Sequence, residues 1–90
     1  MKTHEWDNAK NIILKNERGV SFEDILYYIE SGKVLAIVEH PNQERYPGQN
    51  MYVIDINNYA YLVPYVESGD KIFLKTIIPS RKATKKYLEH

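Results

Sequence analysis

The sequence predicts an α+β domain: two helices, then a mainly antiparallel sheet of four to five strands, then a short basic helix. Three observations carry that prediction. Apolar residues recur at helical spacing only before Gly32, β-rich runs separated by turn residues fill 34–78, and a cluster of lysines and an arginine follows them. Ninety residues build one hydrophobic core and have no room for a second, so 1–90 reads as a single domain.

The elements follow in order. A short apolar start ends at Trp6 and leaves room for a fifth strand ahead of it. Asp7 suits the N-cap of a first helix, with Ile12, Ile13 and Ala9 as its expected buried stripe and Gly19 just past its end. Ser21 and Asp24 form a capping-box variant, and Val20 and Ile25 stand where a hydrophobic staple would lock the entry. The second helix then carries Phe22, Ile25, Leu26 and Ile29 at helical spacing and stops at Ser31-Gly32.

Val34–Glu39 is an unbroken apolar run, as expected of an inner strand covered on both faces. A polar loop of ten residues follows, HPNQERYPGQ. Asn50–Ile56 and Tyr59–Val66 flank Asn57-Asn58, a pair suited to a hairpin turn with positive φ. Ser68-Gly69 marks the next hairpin and leads to a strand over Lys71–Ile78, which Pro79-Ser80 breaks. The basic helix starts between Ser80 and Thr84.

Two-residue turns at these points set Ile54 opposite Tyr61, Tyr52 opposite Val63, Val63 opposite Leu74 and Tyr65 opposite Ile72. One face then carries Tyr52, Ile54, Ile56, Tyr59, Tyr61, Val63, Tyr65, Ile72, Leu74 and Ile78 beneath the helices. The other carries Met51, Val53, Asp55, Leu62, Pro64, Lys71, Phe73 and Lys75 and is expected to lie open. Pro64 lacks a ladder donor and marks a bulge or the end of pairing.

Composition narrows the chemistry. The absence of cysteine removes disulfides and thiolate metal sites and fits a reducing cytoplasm. His4 and His40 have no ligand partner at helical or strand spacing, so neither metal nor cofactor is expected. No Gly-rich phosphate loop, nucleophile elbow or dinucleotide fingerprint is present. The start lacks the apolar run of a secretory signal, and no stretch nears the length of a membrane span, so no membrane role is expected. Leu88-Glu89-His90 resembles the beginning of a purification tag, and no role is assigned to His90.

The formal net charge of zero conceals a division. Residues 71–90 hold six basic side chains against the single acid Glu89, while the first seventy hold six against eleven acids. A positive end on an acidic body attracts polyanions, or is simply a solvated helix. Lys75 on the open face, Arg81 and Lys82 just beyond the same strand, and Arg45 in the polar loop form a candidate phosphodiester pocket. Guanidinium groups grip two phosphate oxygens at once. A protein that aligns an RNA 2′-hydroxyl and stabilises charge on the phosphate can promote strand cleavage. Lys85, with Tyr46 and Tyr87, is placed to hold flanking RNA, whereas the strand tyrosines point with the core aliphatics. Trp6 reads as a packing anchor and Lys10 as a solvated helix residue.

Four strings carry a family resemblance. They are Trp6-Asp7-Asn8-Ala9-Lys10, Gly19-Val20-Ser21-Phe22-Glu23, Glu44-Arg45-Tyr46, and Ile77-Ile78-Pro79-Ser80-Arg81-Lys82-Ala83-Thr84. In type and spacing they resemble the BrnT family of bacterial toxins, which have a RelE-like ribonuclease fold. Residues 34–66 match in pattern alone. Two departures stand out: Glu17-Arg18 replaces the family's Lys-His, and Arg81-Lys82 replaces its paired arginines, keeping the charge but losing one bidentate fork. The resemblance implies a type II toxin that cuts RNA to inhibit translation, with Arg45, Arg81 and Lys82 at the cleaved phosphate. It also implies a ribbon-helix-helix antitoxin, and operator DNA reached only through the toxin–antitoxin complex. The alternative is a non-catalytic, toxin-like module that binds an antitoxin or nucleic acid without cleaving RNA.

Overall fold

A computed structural model describes residues 2–89, so His90 lies outside the described residues. The fold is α+β: two helices precede the sheet and a short helix follows it. In chain order the elements are β1 (Thr3–Glu5), α1 (Asn8–Arg18), α2 (Phe22–Glu30), β2 (Val34–Glu39), β3 (Asn50–Ile56), β4 (Tyr59–Ser68), β5 (Lys71–Leu74), β6 (Ile78–Pro79) and α3 (Arg81–Tyr87). The sheet runs β1-β5-β4-β3-β2, with β6 pairing a further part of β4. Among the described residues only the β1–β5 pair is parallel, and Lys71 meets Glu5 at 3.5 Å across it. No described helix is long and apolar enough to cross a membrane.

The helix ends are built as the local chemistry demands. The Asp7 carboxylate accepts from the Ala9 and Lys10 N–H groups, and Gly19 closes α1 at φ 70°, where a side chain would be strained. Ser21 and Asp24 complete a reciprocal capping box at α2. Asn11 joins the two helices: its side chain accepts from the Phe22 N–H and donates to Glu23. That bond is the main reason the Glu23 carboxyl lies below its usual range. The buried stripe of α1 differs from expectation. Leu14 is the residue it buries, while Ile12 and Ile13 are 62% and 48% exposed and Ala9 is also exposed. The first helix meets the core through Leu14, which joins the fully buried Phe22 and Ile25 of α2.

The main core lies between the two helices and one sheet face. Tyr52, Ile54, Ile56, Val63, Tyr65, Ile72, Leu74 and Ile77 meet Leu14, Val20, Phe22 and Ile25, with Tyr61 at the margin. Trp6 stacks on Phe22 with ring centroids 5.7 Å apart, which makes it the anchor expected. Burying such aliphatic and aromatic side chains supplies about 1.5–3 kcal/mol each. Tyr59, placed in the core by strict alternation, is instead a partly exposed residue beside the hairpin.

Register decides which residues share a face, and here the sequence is right about parity but not always about position. Ile54 faces Tyr61 and Tyr52 faces Val63, around a turn in which Asn57 and Asn58 both have positive φ. The next turn is Gly69-Asp70 rather than Ser68-Gly69, so Tyr65 faces Leu74 and Glu67 faces Ile72. A two-residue shift leaves every side chain on its expected face. The expected single strand over Lys71–Ile78 is split. Tyr65 pairs with Leu74, but Leu62 pairs with Ile78, so the second strand has one extra residue opposite Val63-Pro64. That bulge reverses the alternation: Ile77 is fully buried in the core and Ile78 turns to the other face. Lys75 lies before the reversal and keeps its place on the face away from α1 and α2.

Two further expectations are corrected. The β2 strand, read as covered on both faces, is an edge strand, and its Ile37 is 59% exposed. The second sheet face is not open along its length. Helix α3 packs there, so Val53, Ala60 and Ala83 form a second buried cluster flanked by Leu35, Ala36, Val38, Leu62, Tyr87 and Leu88.

Candidate nucleic-acid interface

Helix α3 is held against β4 by its own first turn. The Ser80 Oγ accepts from the Ala83 N–H, and the Ser80 N–H donates to the Ala60 carbonyl at 2.9 Å. The Thr84 Oγ1 accepts from the Ala60 N–H and donates to the Ser80 carbonyl, both at 2.8 Å. Both backbone groups of Ala60 are thus satisfied by α3 where β6 ends. Ser80, Ala83 and Thr84 serve the docking of the helix, which leaves Arg81, Lys82, Lys85 and Lys86 exposed to solvent.

Two depressions occupy the face on which α3 docks. The first, about 290 Å³, has an apolar floor of Val38, Met51, Val53 and Leu62, and Glu39, Lys82, Lys86 and Tyr87 also line it. The second, about 260 Å³, is lined by His40, Tyr46, Gln49, Pro64, Lys75, Thr76 and Ile78. They adjoin, because Met51 and Leu62 of the first pair directly with Pro64 and Ile78 of the second. The chain passes from one to the other between Ile78 and Ser80, and Arg81 comes next.

The polar loop that bears Arg45 and Tyr46 is shaped by its own side chains. Gln43 donates to the His40 and Gln49 carbonyls and accepts from the Gly48 N–H, closing the loop on itself. The Asn42 side chain accepts from the Arg45 N–H. The His40 Nδ1 accepts from the Asn42 N–H at 3.1 Å, so in the neutral ring Nε2 carries the hydrogen and acts as a donor. The His40 and Tyr46 rings lie 4.4 Å apart.

The predicted site residues divide by position. Lys82 and Tyr87 come together in the first depression, and Tyr46 and Lys75 in the second. Arg45 stands beside the second, its guanidinium carbon 5.5 Å from the Tyr46 ring centroid. Arg81 and Lys85 are exposed on α3 and line neither depression. The sequence reading set His40 aside and missed Gln49, Thr76 and Lys86. The local signal for His40 was its position at the start of the Arg45 loop; what hid it was the lack of a ligand partner nearby in sequence.

Cations lie beside aromatic rings on this surface. The Lys75 Nζ lies 5.2 Å from the Phe73 ring centroid, and the Lys86 Nζ lies 5.4 Å from that of Tyr87. With Arg45 on Tyr46, these are the three cation–aromatic pairs among the described residues, and all involve this surface or its bordering loop. Cations beside rings suit single-stranded nucleic acid, which offers phosphates to the cations and base faces to the rings. The structure therefore defines an α+β domain with a basic, grooved sheet face. No family model, curated protein or solved structure matches the chain.

Proposed function

We propose that the chain is the toxin of a type II toxin–antitoxin pair, an endoribonuclease that cuts RNA in the cytoplasm and so inhibits translation. One observation carries the reading: Lys75, Lys82 and Lys86 gather with Tyr46, Tyr87 and His40 around two adjoining depressions on one sheet face. The resemblance of four sequence strings to BrnT-type toxins supports it, as does the order of two helices, a mostly antiparallel sheet and a basic terminal helix.

In this reading the RNA strand crosses the face with its phosphates against the lysines and its bases against Tyr46 and Tyr87. The cleaved phosphate lies where the chain passes between the depressions, within reach of Arg81 and Lys82, with Arg45 approaching from the loop. The 2′-hydroxyl attacks the adjacent phosphorus and its proton leaves to water. The P–O5′ bond breaks and the leaving oxygen takes a proton from water, giving a 2′,3′-cyclic phosphate and a 5′-hydroxyl. Fixed cations stabilise the charge that builds on the phosphoryl oxygens, and the Nε2–H of His40 adds a donor. Arginine does not deprotonate near neutral pH, so the rate rests on alignment and electrostatics more than on proton transfer to Arg45 or Arg81.

A ribbon-helix-helix antitoxin would cover the same face, and the pair would contact operator DNA through the antitoxin. The apolar floor of the first depression favours a second reading, a non-catalytic module that seats an apolar side chain of such a partner. Induced expression in a bacterium lacking the partner separates the two. The toxin reading expects growth arrest with new RNA 5′-hydroxyl ends; unimpeded growth without such ends supports the binding module.

A further inference from the structure

The outer edge of β2 is unpaired among the described residues and carries Ile37, the most exposed large apolar side chain of the sheet. The backbone geometry fixes which groups face outward. Hydrogen-bonded positions alternate along an antiparallel pair. The His40 N–H donates to the Gln49 carbonyl of the neighbouring strand segment, so Val38 and Ala36 also turn toward β3. The N–H and C=O groups of Ile37 and Glu39 therefore point away from the sheet, a template for another extended strand.

This edge is complementary to itself. A two-fold axis through Ile37 sets Ile37 against Ile37 of a second copy, with their free N–H and C=O groups in register. The same axis sets Ala36 against Val38 of the second copy, and these two residues share a sheet face, as antiparallel neighbours must. Charge agrees with the same arrangement. Lys33 precedes the strand and Glu39 ends it; both are exposed, and neither forms an ion pair among the described residues. Antiparallel pairing brings the Lys33 end of each copy beside the Glu39 end of the other.

We propose that two copies of the chain associate through their β2 edges, antiparallel about Ile37, into one continuous sheet across a closed two-fold dimer. This inference is independent of the RNA reading. The irregular register between Val34 and Ala36 limits regular pairing to residues 36–38 of each strand, because the same axis sets Glu39 opposite Leu35, which sets a short interface centred on Ile37.

The chain has no cysteine, so Ile37→Cys introduces a unique thiol. Directly opposed residues in a hydrogen-bonded antiparallel pair have Cα atoms about 5.5 Å apart, and a disulfide spans roughly 4.4–6.8 Å. Under mild oxidation the Ile37→Cys chain should convert to a covalent dimer at least ten times faster than a Glu17→Cys control on the exposed face of α1. Sedimentation equilibrium should give wild type a dimer mass and Ile37→Lys a monomer mass, with unchanged circular dichroism, because the Ile37 side chain is largely in solvent. The cysteine experiment decides the matter if Ile37→Lys fails to fold. A wild-type chain that sediments only as monomer, or equal cross-linking of the two cysteine variants, overturns the proposal.

Discussion

Lys75 shows how one residue's place follows from parity. It comes one residue after the buried Leu74 and before the bulge, so it lies on the α3-bearing face whatever the hairpin turn. In the RNA reading it meets a phosphate. Replacing it with Ala should weaken binding of a short single-stranded RNA and make the log–log salt dependence shallower by about 0.7 per lost phosphate contact. A filter-binding titration at several salt concentrations measures the slope; an unchanged slope places RNA elsewhere. His4 offers a separate residue-scale test, of the core. It sits 3.4 Å from the Tyr52 hydroxyl, and burial holds its pKa below the usual imidazole value, partly offset by Glu30. Tyr52, itself pushed up to about 12 mainly by burial, keeps its proton there. A histidine with a depressed folded pKa binds fewer protons folded than unfolded, so its contribution is present above the unfolded pKa of 6.5 and is lost as pH falls through the folded one. The wild-type melting temperature should therefore fall below pH 6.5 more steeply than that of His4→Gln. Parallel curves would contradict that linkage.

At the scale of elements, α3 depends on a small number of polar contacts. Thr84→Val keeps the side-chain shape but removes the acceptor of the buried Ala60 N–H. An unsatisfied buried donor costs about 1–3 kcal/mol, so the urea midpoint should fall with little change in slope. An unchanged midpoint would mean that Thr84 does not hold the helix. The capping residues Asp7, Ser21 and Gly19 and the Asn57-Asn58 turn were legible in the sequence because their geometry is set by neighbours a few residues away. Position in the sheet was not. Nothing local to Val34–Glu39 distinguishes an apolar edge strand from an inner one. Pro64 did mark the irregular pairing, but nothing local to Ile77-Ile78 announces that the extra residue lies on that strand and turns Ile78 to the other face. The docking of α3 was hidden for the same reason. Its Ser80 and Thr84 bond to Ala60, a partner twenty or more residues away, so the face expected to be open became a pair of grooves.

The whole molecule separates its charge as its sequence does. The basic end folds back through β5, β6 and α3, so Lys75, Lys82 and Lys86 reach the same face although ten residues lie between the first and the last. Lys82, Tyr87, Tyr46 and Lys75 of the predicted site thus converge on that face, while Arg81 and Lys85 are exposed on α3 and line neither depression. Arg81 follows the stretch that joins the two depressions and is exposed, so replacing it removes a cation without opening a core cavity. The most direct test is cleavage of RNA by the purified, partner-free chain, with and without ribosomes, comparing wild type with Arg81→Ala and the exposed α1 control Glu17→Gln. The account predicts cleavage by wild type and by Glu17→Gln, a loss of roughly 100- to 1,000-fold in Arg81→Ala, and partial recovery in Arg81→Lys, whose ammonium lacks the bidentate fork. A wild-type chain that cuts no RNA under either condition, or an Arg81→Ala chain that cuts as fast as wild type, would contradict it.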